Sequence, residues 1–239
     1  MSLLPLIVLS PSIILIAAAV IPAVYLLVVI YRNDRLEKEP RKLLFRLIVL
    51  GILATLFAEW GETAGIALLP LYFKPGSRGY ELALYFLVVG LAEEGFKYLL
   101  MRICTWKSPE FNCQFDGVVY AVFTSLGFAL WENVMYVISY GMSTAIARAI
   151  TAIPGHACFG VFMGTFYGAA KRFQMYGDAK SSRLCRILAL MVPVLLHGAY
   201  DYLASSEAVS QLLFVVFIAL LFFAAFKTVK TLSKRDRYL

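Results

Sequence analysis

The chain has 239 residues, of which 61% are hydrophobic and 15% charged, with a formal net charge of +7. A soluble domain carries about 25% charged residues, so a water-solvated globule is excluded, and apolar runs of about 20 residues fill most of the length instead. The basic residues collect in short connections (Arg32 to Lys42, Lys171 to Arg186 and Lys227 to Arg237) without interleaved aromatics, which excludes nucleic acid as the partner and marks positive-inside anchors.

The expected fold is all-α: a polytopic transmembrane bundle of about seven spans, with residues 1–239 forming a single membrane-embedded domain. The first span is expected from about Ser12 to Tyr31, kinked at Pro22. It reads as a retained span with its N-terminus outside, because nothing basic precedes Arg32 as a cleaved signal would require. The second run, Leu43 to Phe73, is too long for one straight span and is interrupted by Glu59, Trp60 and Glu62. It is expected to end near Glu62, with an extra interfacial or re-entrant helix over about 61–73, and Gly61 and Gly65 form a GxxxG packing pair there. Glu59 and Glu62 are expected at the interface.

The third run, Tyr80 to Trp106, carries Glu93, Glu94 and Lys97 at membrane depth. Charges there are costly and mark a functional site by default. Glu93 and Lys97, four apart, share a face as an ion pair, while Glu94 lies about 100° around and is expected to point elsewhere. The fourth run, Phe115 to Tyr140, carries Phe128, Glu132 and Asn133. Phe128 is expected to pack over Glu132, and Asn133 to serve as an interhelical hydrogen bond or an oxyanion donor. Asp116 suits the positive start of that helix. The fifth, Thr144 to Ala170, carries His156 and a smooth ridge of Gly160, Gly164 and Gly168. The sixth, Leu184 to Leu203, carries His197 and Asp201, again four apart, so Asp201 either orients the imidazole or joins it as a metal ligand. The seventh, Val209 to Phe226, has no ionisable residue and reads as packing.

With seven spans and the N-terminus outside, the three basic clusters fall on one face, and Glu93, Glu132, His156 and His197 fall near mid-membrane. Shared depth points to one site. A carboxylate in a partly wet apolar pocket suits a base acting on water. No serine or cysteine stands beside these residues as a nucleophile, and the four cysteines form no CxxC pair that would hold a metal or a disulfide framework.

These pieces together resemble the PrsW family of bacterial membrane proteases, and more distantly the CAAX prenyl endopeptidase and bacteriocin-processing group. The matching motifs are E-E-x-x-K at Glu93, Glu94 and Lys97, F-x-x-x-E-N at Phe128, Glu132 and Asn133, H-x-x-x-G at His156 and Gly160, and H-x-x-x-D at His197 and Asp201. The acidic stretch Asn33 to Pro40 resembles the family's segment after the first span. The resemblance implies an intramembrane endopeptidase in the bacterial plasma (inner) membrane, multi-pass, with a cytoplasmic C-terminus. Its implied substrate is a single-span membrane protein such as an anti-sigma factor.

The resemblance also implies catalytic roles for Glu93, Glu94, Glu132, His156, His197 and Asp201, supported by Lys97 and Asn133. Glu93 is the first choice for the base and Glu94 the second. The leading expectation is a glutamic-type protease with no cofactor. Its rivals are a zinc protease using His156 and His197, for which no HExxH is present, and a proton- or cation-coupled transporter, for which no repeated halves are visible.

Overall fold

The computed structural model describes residues 11–205 and 210–239, and every regular element in them is helical. In order these are α1 (Pro11–Asn33), α2 (Arg41–Leu68) closed by a 3₁₀ turn (Leu69–Leu71), α3 (Arg78–Leu82), a π-helical segment (Ala83–Gly90), α4 (Leu91–Thr105), α5 (Asp116–Tyr140), α6 (Met142–Ile150), α7 (Ala152–Met175), α8 (Ala179–Ser205) and α9 (Gln211–Lys234). Apolar runs become helices because hydrocarbon offers the backbone no partner outside its own ladder. Six spans among the described residues are long and apolar enough to cross a membrane. The continuous helix from Arg78 to Thr105 is as long, but it carries Glu93, Glu94, Lys97 and Arg102. The chain is a multi-pass membrane protein. Val209, where the last span was expected to begin, lies outside the described residues.

Two expectations need correction. No re-entrant helix occupies 61–73, because α2 runs unbroken past Glu62 to Leu68. Its glycines keep it against the neighbouring helix: a Cβ on Gly65 would stand 2.6 Å from Val88 Cγ1, and one on Gly61 would stand 3.3 Å from Ala92 Cβ. The fifth run is instead two helices, α6 and α7, meeting at Thr151 (φ −117°, ψ −66°). Pro154, in the first turn of α7, has no N–H to continue the ladder of α6.

α5 is the central post. It is buried along most of its length and touches α1, α2, α4, α6 and α7. Small residues bring its neighbours to backbone contact. A Cβ on Gly51 of α2 would meet Thr124 O at 2.1 Å, and one on Gly164 of α7 would meet Gly117 O at 2.4 Å. The glycine ridge of α7 therefore seats on α5.

At the basic end, the C-terminal segment clasps the connections. Leu239 N–H donates to Asn112 O at 2.7 Å, Phe115 N–H to Asp236 Oδ1 at 2.9 Å, and Cys113 bridges antiparallel to Tyr238. Asp34 and Glu39, between α1 and α2, are buried beneath this clasp. Burial pushes the Asp34 carboxyl up to about 6 against the pull of Lys38, and the Glu39 carboxyl up to about 7 despite a hydrogen bond from Tyr120 Oη at 2.9 Å.

Two outcomes are expected. Gly164→Val should lower the unfolding temperature in detergent, at a cost of roughly 1–3 kcal/mol for overpacking, whereas Gly95→Ala, with nothing within 4 Å of its Cβ, should not. Both raised carboxyls bind protons more tightly folded than unfolded, so their stabilisation is full below about pH 4 and is lost as pH rises through their folded values. Thermal unfolding should therefore shift to lower temperature between about pH 5 and pH 8, and Asp34→Asn should flatten part of that slope.

Candidate active site

Glu93 and Glu94 sit in the first turn of α4, directly after the π-helical segment. Two glycines fix that segment against α8. A Cβ on Gly90 would meet Val194 O at 3.0 Å, and one on Gly198 would meet the Phe86 ring at 2.6 Å. His197, the residue before Gly198, is thereby carried to the acids: its Nδ1 lies 2.9 Å from Glu94 Oε1 and 3.8 Å from Glu93 Oε2.

Lys97 stands at the centre. Its ammonium donates to Glu93 Oε2 at 3.0 Å, to Glu94 Oε1 at 2.8 Å and to His156 Nδ1 at 3.2 Å. A lysine has three protons, and these three acceptors use them all. The long stem reaches both the i−3 and the i−4 acid, so Glu94 joins Glu93 rather than pointing elsewhere. The Phe128 ring centroid lies 3.8 Å from the ammonium and closes its remaining side; the ring, expected over Glu132, packs against Lys97 and His156.

Because Lys97 donates to His156 Nδ1, that nitrogen carries no proton and Nε2 carries it. Nε2 in turn donates to Glu132 Oε2 at 2.9 Å. His197 is arranged differently: its Nδ1–H donates to Glu94 Oε1 at 2.9 Å, since a carboxylate only accepts, and its Nε2 lies 3.4 Å from Asp201 Oδ2. The two imidazoles stand edge to face, centroids 5.2 Å apart, and Phe159 stacks on His197 at 4.9 Å. All six expected catalytic residues and Lys97 thus meet in one cluster drawn from α4, α5, α7 and α8.

Asn133 is the exception. It is fully buried, its Nδ2 donates to Ala19 O of α1 at 3.0 Å, and its Oδ1 accepts from Arg148 Nε at 3.0 Å. It holds helices together and does not border the cavity.

A cavity of about 480 Å³ opens beside the cluster, lined by Glu93, Glu132, His156, His197 and Asp201 but not by Glu94. Glu93 offers Oε2 to Lys97 and its other oxygen meets no donor among the described residues, whereas Glu94 is fully buried. Of the adjacent glutamates, Glu93 alone meets solvent space. Glu59 and Glu62, expected at the interface, also line the cavity, as do Arg148 and Phe159. Arg148 Nη2 lies 2.9 Å from Glu132 Oε2. Sequence reasoning left Arg148 out of the site, although an arginine just inside a span is a visible signal. Phe159, three residues after His156, was legible only as a helical neighbour of that histidine.

The donors also bear on a metal. One atom each of Glu93, Glu94, His156 and His197 lies within 4.8 Å of the others. Two imidazoles and two carboxylates suit zinc in kind, and Glu132 and Asp201 behind the imidazoles are the partners that metal-bound histidines take. The space between the donors is another matter, since the Lys97 ammonium fills it in hydrogen-bonding contact with three of the four. In this arrangement the residues do not fit an ion unless the lysine side chain moves out.

Comparison with known proteins identifies the family. The model of a family described as "PrsW family intramembrane metalloprotease" matches residues 39–226. Protease PrsW of Geobacillus kaustophilus is 34% identical over 220 residues, covering 90% of this chain and 91% of the relative. Protease PrsW of Halalkalibacterium halodurans is 32% identical, covering 93% and 99%, and that of Bacillus subtilis is 30% identical, covering 80% and 83%. No solved structure matches the chain.

Lys97→Met should leave two adjacent buried carboxylates without their cation and cost about 3–5 kcal/mol, read as a lower unfolding temperature in detergent. The double variant Glu94→Gln/Lys97→Met removes one stranded charge and should recover part of that loss. A double variant no more stable than Lys97→Met would show that the ammonium does not neutralise Glu94.

Proposed function

The chain belongs to the PrsW family of intramembrane proteases, and we propose that it hydrolyses its substrate with a water molecule activated by Glu93. The observation that carries this reading is the division of labour between the adjacent acids. Glu93 borders the cavity, while Glu94 is fully buried, with Oε1 between Lys97 and His197.

Glu93 takes a proton from water in the cavity as the water oxygen attacks the scissile carbonyl carbon. The carbonyl oxygen becomes an oxyanion, which the His197 imidazolium, flanked by the Glu94 and Asp201 carboxylates, stabilises through Nε2–H while Nδ1–H stays on Glu94. The C–N bond then breaks, and Glu93 returns its proton to the leaving amine. His156, with its tautomer set by Lys97 and Glu132, fixes Phe128 and His197 around the cavity. Lys97 holds Glu93 in place through its hydrogen bond to Oε2.

The proposed substrate is a single-span membrane protein such as an anti-sigma factor, cut within or beside the bilayer of a bacterial plasma membrane. The proposed topology has the N-terminus outside and the basic connections in the cytoplasm, in keeping with the distribution of arginine and lysine. A second reading, favoured by the converging donors and by the description of the family as metalloproteases, is a zinc protease. Zinc held by His156, His197 and a carboxylate would supply Lewis acidity to water; in this reading Lys97 must leave the cluster.

Co-expression with a panel of single-span anti-sigma-type substrates separates the two. Glu93→Gln should lose roughly 100- to 10,000-fold of the cleavage rate, and a membrane-permeant chelator should leave the wild-type rate unchanged. Cleavage abolished by chelator and restored by zinc would establish the metal reading. Cleavage that survives Glu93→Gln would remove Glu93 from the role of base.

A further inference from the structure

A second cavity lies on the far side of α7 from the catalytic cluster. His156 faces the acids, while Cys158, about 200° around the same helix, lines a slot of about 410 Å³ between α1, α7 and α9. Its walls are apolar: Val29 and Ile30 from α1, Ala157 and Val161 from α7, and Phe222 and Phe226 from α9. The slot closes at the basic end of the bundle, where Ser233 Oγ of α9 donates to the backbone oxygen of Asn33 at the end of α1.

That end is polar. Asn33, Arg35 and Lys230 line it, and the Asn33 amide is already spent on Val29 O at 2.9 Å. Arg35 and Lys230 form no ion pair among the described residues, and both are exposed. Lys230 Nζ lies 5.9 Å from the Phe226 ring centroid, so its head stays at the slot rather than reaching away along the surface. Two cations at the polar end of an apolar channel, unpaired among the described residues, match an amphiphile with a negative head and a hydrocarbon tail.

The length of the slot suits an acyl chain. From Lys230 to Phe222 the wall runs about 12 Å along α9, most of the roughly 15 Å hydrocarbon depth of one leaflet. We propose that this slot is a binding site for an anionic phospholipid, with one acyl chain between α1, α7 and α9 and the phosphate between Arg35 and Lys230.

The test is native mass spectrometry of the purified full chain in detergent, challenged with an equimolar mixture of phosphatidylglycerol and phosphatidylcholine bearing the same acyl chains. Wild type should retain phosphatidylglycerol over phosphatidylcholine by about tenfold, a difference of about 1.4 kcal/mol. The Arg35→Ala/Lys230→Ala variant, changed only at exposed positions, should retain both lipids equally. Ala157→Trp should fill the slot and retain neither. Glycerol phosphate at millimolar concentration should displace nothing, because it lacks the tail.

Equal retention of the two lipids by wild type, or an unchanged preference in the double variant, would overturn the proposal. So would displacement by glycerol phosphate, which would mark a headgroup-only anion site. A single-span helical peptide that displaces bound lipid irrespective of lipid charge would identify the slot as a helix seat instead.

Discussion

One ammonium group organises this protein's interior. Two adjacent carboxylates at membrane depth repel each other, and hydrocarbon does nothing to screen them. The Lys97 side chain, rising from the next turn of the same helix, answers both and spends its third proton on His156. The charge balance of the cluster and the tautomer of a histidine on another helix thus follow from a single side chain. Glu132 and Asp201 complete the arrangement from outside, each behind one imidazole, so no histidine in the cluster is free to turn.

The bundle exists to bring that helix turn to its partners. α5 and α7 meet at backbone distance through Gly117 and Gly164, which brings Glu132 and His156 within hydrogen-bonding reach. Gly90 and Gly198 do the same for α4 and α8, and deliver His197 to Glu94. In a membrane, where helices gain little from excluding hydrocarbon, close approach and polar contacts are the available sources of cohesion. Both are concentrated around the site here.

Much of this was legible in the sequence because the bilayer removes alternatives. An apolar run must become a helix, and a charged residue inside it must find a partner, so Glu93, Glu132, His156 and His197 could be grouped by depth alone. Depth does not give rotation about the helix axis. That is why Glu94 was expected to turn away from Lys97, and why Asn133, adjacent to Glu132, could be read as a catalytic donor although it holds α1. The break at Thr151 was missed because the run stays apolar through it, and the Pro154 signal lay three residues beyond. The continuity of α2 was missed for the opposite reason. Glu59 and Glu62 look like an interface in sequence, but a cavity is also a polar environment, and they face it.

The π-helical segment from Ala83 to Gly90 has a consequence for anyone who places probes on this helix. Each of its turns takes one residue more than an α turn, so the helical wheel that describes Arg78 to Leu82 is out of phase with the one that describes Leu91 to Thr105. A spin label or cross-linker moved in steps of seven along an assumed continuous heptad would begin on one face and finish on another. Distances measured from upstream positions must therefore be interpreted with a phase shift at Gly90, or they will assign Glu93 to the wrong side of its own helix.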